Sequence, residues 1–167
     1  MKIVTERLIV RSLKVADVSA LSMLWTDPEV THFMGGPRDY EWIHAELVKD
    51  AGDKSPPKID LWPVIEKATG QIIGHCGLVD KEVDGQVEFD LTYVLARTAW
   101  GKGYATEVAV AIADYAFNQL GLKRIIALVD PTNTASQHVA TKVGLKYEKE
   151  TVRTNGKIMR IYTKCVE

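Results

Sequence analysis

The sequence predicts an α+β domain in which one mixed, mostly antiparallel sheet is flanked by helices. Three successive segments, residues 59–66, 72–79 and 87–95, are strand-like, and the turns between them, Ala68-Thr69-Gly70-Gln71 and Val83-Asp84-Gly85-Gln86, are short. Across Gly101 and Gly103 the apolar period changes from two to 3.6, the signature of a strand feeding a helix. A last hairpin closes about Thr154-Asn155-Gly156-Lys157. A doubly wound parallel sheet is disfavoured, because neighbouring parallel strands need crossovers of about a dozen residues or more.

Taken in order, Leu8, Val10 and Leu13 alternate with Ile9 and Arg11 and make a first strand. Asp17 suits the N-cap of a helix whose apolar positions are Val18, Leu21, Leu24 and Trp25, ended by Asp27-Pro28. Residues 30–37 form a loop with Phe33, Met34 and the Gly35-Gly36 pair, and a second helix rests on Tyr40, Ile43, Leu47 and Val48. Phe33 and Met34 read as packing between the two helices. Residues 50–58 are a surface loop. On the strand at 87–95, Val87, Phe89, Leu91, Tyr93 and Leu95 share one face, and Glu88, Asp90, Thr92 and Val94 the other.

The helix after Gly103 has an apolar stripe of Val108, Ile112, Tyr115, Ala116 and Leu120, with Glu107, Asp114 and Asn118 opposite and Gly121 at its C-cap. Residues 124–129 make a buried strand. Asn133 or Thr134 starts a further helix carrying Ala135, Val139, Ala140 and Val143, stopped by Gly144. No stretch separates two cores, so residues 1–167 are expected to be one domain.

Hydrophobic residues make up 46% and charged residues 26%, as in ordinary globular proteins. A net charge of −1 argues against direct nucleic-acid binding by bulk phosphate neutralisation. No segment has the apolar run of about 18 residues that spans a membrane, and the N-terminus lacks a signal-peptide core. Two cysteines, Cys76 and Cys165, are too few for a disulfide framework or a zinc site. A cytoplasmic, reducing location without a metal is expected.

The chemistry concentrates at Trp100-Gly101-Lys102-Gly103-Tyr104-Ala105. A glycine turn feeding a helix start exposes unpaired N–H groups at the positive end of the helix dipole, a site for phosphate. It is not the dinucleotide Gly-x-Gly-x-x-Gly, since Thr106 holds the third glycine position, and no Gly-Lys-Ser/Thr P-loop occurs.

This loop resembles the acyl-CoA pyrophosphate loop of the GNAT superfamily of N-acetyltransferases, Gln/Arg-x-x-Gly-x-Gly/Ala, with Trp100 departing from the Gln/Arg position. Trp-Gly-x-Gly-Tyr-Ala-Thr-Glu is similar to the form found in ribosomal-protein alanine/serine N-terminal acetyltransferases. The resemblance extends to Thr5-Glu6-Arg7-Leu8, Asp27-Pro28-Glu29-Val30, Ile73-Gly74-His75-Cys76-Gly77-Leu78, Asn133-x-x-Ser136 and Lys142-x-Gly144-Leu145. It implies a GNAT-like fold and direct acetyl transfer from acetyl-CoA to a primary amine. It also implies that Trp100, Gly101, Lys102, Gly103, Tyr104, Ala105, Thr106, Asn133 and Lys142 hold acetyl-CoA, while the Val94 and Leu95 backbone pairs with the pantetheine. A homodimer is compatible with it.

Such a transfer needs an acceptor for the amine proton and a donor for the departing thiolate. Glu88 and Asp90 are candidates for the first. An ordinary carboxylate, with a pKa of about 4, is a weak base for an ammonium, so water would mediate. Many relatives use a tyrosine at the position of Ala140; here the resemblance implies that Ser136 stabilises the thiolate. Tyr147 and His75 read as packed residues and stay outside the catalytic set. The acceptor is expected to be a protein N-terminal α-amine in an open groove walled by residues 26–42, with Glu82, Asp84, Glu88 and Asp90 attracting a cation. A small amine and a non-catalytic acyl-CoA-binding module remain open.

Overall fold

Alternation along β5 (Gln86–Leu95) divides the core in two. Leu91 and Leu95 join the larger cluster, with Leu8, Val64, Val108 and Ile112, whereas Val94 joins Val18, Leu21, Leu24, Trp25 and Leu47. Each fully buried Leu or Ile stabilises the fold by about 1.5–3 kcal/mol, so these two clusters hold helices on opposite faces of one sheet.

The computed structural model describes residues 1–167. Before β5 come β1 (Lys2–Val4), β2 (Leu8–Arg11), α1 (Val18–Thr26), α2 (Tyr40–Ala51), β3 (Leu61–Glu66) and β4 (Ile72–Val83). After it come α3 (Tyr104–Asn118), β6 (Arg124–Val129), α4 (Thr134–Val143), β7 (Lys146–Val152) and β8 (Ile158–Cys165). The eight strands form one sheet in the order β1-β2-β3-β4-β5-β6-β8-β7. Every pair is antiparallel except β5–β6, which is parallel and aligned only at Asp90 and Ile126. This is the mixed α+β arrangement the sequence predicts.

Several expected details change. The three-residue β1 is too short to show a pattern, yet it pairs with β2, Ile3 opposite Val10. β4 continues to Val83 because Asp84 (φ 50°) and Gly85 (φ 78°) make a tight turn with both residues left-handed. Asp17 does not cap α1. Its carboxylate takes the Arg11 fork at 2.7 and 2.9 Å and the Lys14 N–H at 2.8 Å, tying β2 to the turn before the helix. α2 has the cap that α1 lacks, Asp39 accepting from the Trp42 N–H at 2.9 Å. Tyr147 is not a core residue: it is exposed and lies edge-on against Tyr162.

The glycine at 77 is required by close approach. A Cβ there would stand 1.9 Å from the Asp60 carbonyl oxygen, so β4 can pass β3 only without a side chain.

Candidate active site

The glycine loop leaves the end of β5 and is pinned back to it. Trp100 donates its indole N–H to the Leu95 carbonyl at 2.8 Å, which gives this residue a structural task at the position where the family pattern carries Gln or Arg. Gly101 and Gly103 have φ of 73° and 80°, left-handed conformations that side chains disfavour. Gly103 is the N-cap of the 15-residue α3 and offers no side-chain cap. The first intrahelical bond runs from the Glu107 N–H to the Gly103 carbonyl at 3.1 Å. The N–H groups of Gly101, Lys102, Gly103, Tyr104, Ala105 and Thr106 have no acceptor in the protein. Six consecutive free amides at the positive end of a helix form a cradle for a pyrophosphate, and the residues present fit acetyl-CoA.

Two residues with no assigned part brace this cradle. Arg7 donates to the Lys102 carbonyl at 2.8 Å and, through Nε, to Glu107 at 2.7 Å, with its guanidinium 4.4 Å above the Tyr104 ring. Glu107 also accepts from the Thr5 hydroxyl at 2.6 Å and the Arg7 N–H at 2.8 Å. Burial opposes its ionisation, but the donors from Thr5 and Arg7 outweigh that and hold its carboxyl below the usual range. Glu107, expected on a polar outer face, is thus the anchor between the Thr5-x-Arg7 segment and the loop. No local pattern could show this pairing across about a hundred residues.

Beyond Asp90 and Ile126, β5 and β6 part, and a cavity of about 460 Å³ opens there. Phe33, Met34 and Arg38 from the α1–α2 connection form one wall, so Phe33 and Met34 contribute to the cavity. β4 and β5 contribute Lys81, Asp90, Thr92 and Tyr93; the end of β6, Leu128 and Asp130; α4 and the turn before it, Asn133 and Ser136; the β7–β8 hairpin, Arg153 and Lys157. Trp42 stands outside, 56% exposed. A second cavity, about 250 Å³, lies by Leu13, Pro57 and Trp62 and contains none of the candidate residues.

The two candidate carboxylates separate. Asp90 is buried in the cavity wall, ion-paired with Lys81, accepting from the Leu128 N–H at 2.9 Å and from Thr92 at 3.4 Å. Burial raises its pKa against the pull of Lys81. Glu88 does not line the cavity; Arg124 holds it at 3.0 Å while also reaching Glu148 at 2.8 Å. The expected acidic patch is likewise dispersed, since Asp84 pairs with Lys149 at 2.9 Å, Glu88 with Arg124 and Asp90 with Lys81.

Asn133 caps α4, its Oδ1 accepting from the Ser136 N–H at 3.1 Å, which sets Ser136 in the first turn. The Ser136 hydroxyl lies 2.8 Å from the Tyr93 hydroxyl, which also donates to the Ser136 carbonyl at 3.0 Å. Burial pushes the Tyr93 phenol up to about 12, so it stays protonated. Alternation places Tyr93 only on the strand face it shares with Leu91 and Leu95; its reach to α4 depends on the tertiary crossing.

The remaining candidates have mixed surroundings. The Val94 carbonyl faces β4, 3.8 Å from Cys76 Sγ, so by alternation the main chain that faces the parting belongs to Leu95, whose carbonyl Trp100 already uses. Lys142 is exposed in the last turn of α4. His75 is buried, accepts at Nδ1 from the Trp25 indole at 3.0 Å, and is held neutral to about 4 by desolvation. Cys76 is buried and its thiol is pushed up to about 12, unsuited to nucleophilic work.

A sheet parted between two parallel strands, with a free-amide loop and helix start beside the parting, defines an acyl-CoA-dependent acyltransferase. The chain belongs to the GNAT family: residues 7–146 match the acetyltransferase (GNAT) domain. It is 35% identical to YkkB of Bacillus subtilis (strain 168) over 96% of this chain and 94% of that one. It is 32% identical to the uncharacterized N-acetyltransferase p20 of Bacillus licheniformis over 95% of this chain and 91% of that one. A GNAT acetyltransferase from Bacillus anthracis superimposes with a TM-score of 0.82 at 27% identity, covering 99% and 98% of the two chains. The fold is shared with RimL, a ribosomal L7/L12 alpha-N-protein acetyltransferase solved with coenzyme A (TM-score 0.78, 14% identity, 99% and 98% covered). It is also shared with a spermidine N-acetyltransferase chimera from Vibrio cholerae and hSSAT (TM-score 0.75, 17%, 96% of each chain). The family uses acetyl-CoA, and the protein is an acyltransferase.

Proposed function

We propose that this protein transfers acetyl directly from acetyl-CoA to the α-amino group of a protein N-terminus in the cytoplasm. The observation that carries this reading is the run of free amides at residues 101–106 beside a parting that leads to Ser136 and Tyr93. The loop amides and α3 dipole hold the pyrophosphate, and Asn133 keeps Ser136 at the acyl end. In the step, the amine nitrogen bonds to the acetyl carbon, the carbon–sulfur bond breaks, and the amine's proton leaves.

For the Ser136 hydroxyl to donate toward the thiolate, Tyr93, which stays protonated, turns its one proton from the Ser136 carbonyl to Ser136 Oγ, both within its reach. Three of the roughly four lone-pair sites of Asp90 are committed to Lys81, Leu128 and Thr92, which makes it a poor base, and water takes the proton. An α-amine suits that weak arrangement, because its pKa near 8 leaves roughly a tenth of it neutral at pH 7. Glu88, outside the cavity, takes no part.

Ribosomal-protein acetylation is one form of this reading, and the shared fold is as compatible with it as with a polyamine acceptor. A small amine is the second reading, favoured by a cavity of only about 460 Å³. Thiol release is to be followed with matched peptides, free and N-terminally blocked, and with small amines. The free peptides should be turned over and the blocked lysine-containing ones should not. Equal rates on blocked peptides would overturn the α-amine assignment, and acetyl-CoA binding without turnover on any amine would leave a non-catalytic module.

A further inference from the structure

The charge lining the cavity has the opposite sign to that of the chain. Four cations, Arg38, Lys81, Arg153 and Lys157, face two carboxylates, Asp90 and Asp130, in a protein whose net charge is −1. Lys81 is paired with Asp90, and Lys157 with Asp130 at 2.8 Å. The excess therefore belongs to Arg38 and Arg153, and neither has a carboxylate partner.

Both guanidiniums are held by main-chain oxygens and keep donors unused. Arg38 gives Nη1 to the Met34 and Gly36 carbonyls at 2.7 and 2.6 Å, lies 5.0 Å over the Trp25 ring, and has its own N–H bonded to the Trp25 carbonyl at 2.8 Å. Arg153 gives Nη1 to the Glu82 carbonyl at 2.9 Å. An arginine fork with free N–H groups at a cavity wall matches a carboxylate or phosphate; that of Arg38 is fixed in place with its ordering entropy largely spent, while that of Arg153 has a single exposed bond. The phosphates of acetyl-CoA do not account for it, since no residue of the 101–106 loop lines this cavity.

We infer that the acceptor amine carries an anionic group, a carboxylate or a phosphate, and that Arg38 and Arg153 select it. The inference rests on the acetyltransferase reading above. It turns around the expectation of a cationic acceptor and makes a polyamine a poor substrate, because a polycation would meet two unpaired guanidiniums.

The test is a steady-state assay on C-terminally amidated tripeptides that differ only at the second residue, Glu, phosphoserine, Gln or Lys, with spermidine alongside. The Glu or phosphoserine peptide should exceed the Gln peptide in kcat/KM by roughly tenfold to a hundredfold, the worth of a hydrogen-bonded charge. Which of the two is preferred names the carboxylate or the phosphate as the source. In Arg38→Gln and Arg153→Gln the advantage should shrink through KM, with the KM for acetyl-CoA unchanged; Arg38→Lys should restore it only in part. Equal or better rates with Gln, Lys or spermidine would overturn the anionic acceptor and leave the acetyltransferase intact. If no amine is turned over, the acetyltransferase reading fails, and calorimetry with the phosphoserine and Glu peptides decides the anion site: binding lost in Arg38→Gln supports it, and no binding to the wild type overturns it.

Discussion

The donor loop and the acceptor cavity are built in opposite ways. The loop is one contiguous stretch whose functional atoms are main-chain amides, while the cavity is gathered from residues as far apart as Phe33 and Met159. Backbone chemistry needs only the φ values that Gly101 and Gly103 permit, so it can be written in a few consecutive letters. Side-chain chemistry in the cavity depends on how the sheet parts and where the α1–α2 connection lies. The difference means that the donor side tolerates little change of main chain, and the acceptor side can be retuned by single side chains.

The largest expected effect concerns the acceptor wall. Arg38 stacks on Trp25, and Trp25 donates to His75, so a neutral His75 supports the wall. Burial lowers its pKa from 6.5 to about 4. Between those values the unfolded chain binds the extra proton, so this stability is complete above about pH 6.5 and is lost as pH falls to about 4, by up to about 3 kcal/mol. Urea midpoints should fall over that window, and His75→Gln should flatten the fall. An unchanged slope in that variant would detach His75 from the wall's stability.

Next in size, Ser136→Ala should lower kcat by about thirtyfold with little change in acetyl-CoA affinity. Tyr93→Phe should lower it less, and equal loss of acetyl-CoA binding would move Ser136 to the donor side. Arg7→Met should act in the other region, weakening acetyl-CoA binding roughly tenfold by releasing the Lys102 carbonyl and Glu107 while kcat at saturation holds. Smallest of all, Trp42→Ala should change kcat/KM by less than about twofold, because the ring stands outside the cavity.

Much of this was legible in the sequence, and the reasons are specific. The Asp84-Gly85 turn, the Gly144 stop of α4 and the change of period at Gly103 are local, and each appears as expected. The asparagine cap at Asn133 was readable as a helix start, though not the contact it brings between Ser136 and Tyr93. Glu88 and Asp90 share a strand face and could not be told apart by alternation; their partners, Arg124 and Lys81, separate them. The acidic residues looked like a patch because their cations lie on β4, β6 and β7. Arg7 and Glu107 were hidden by sequence distance alone.

The central claim is that main-chain amides at residues 101–106 hold the acyl donor independently of the acceptor cavity. It is tested most directly by calorimetric titration of acetyl-CoA into the wild type, Gly103→Val and Arg38→Gln. Valine at φ 80° is strained, and its side chain would crowd the cradle, with the Cβ already 3.4 Å from Arg7 Nη2. The wild type and Arg38→Gln should bind acetyl-CoA with the same affinity, and a folded Gly103→Val should show no detectable binding. Undiminished binding to Gly103→Val, or its loss in Arg38→Gln, would contradict that claim.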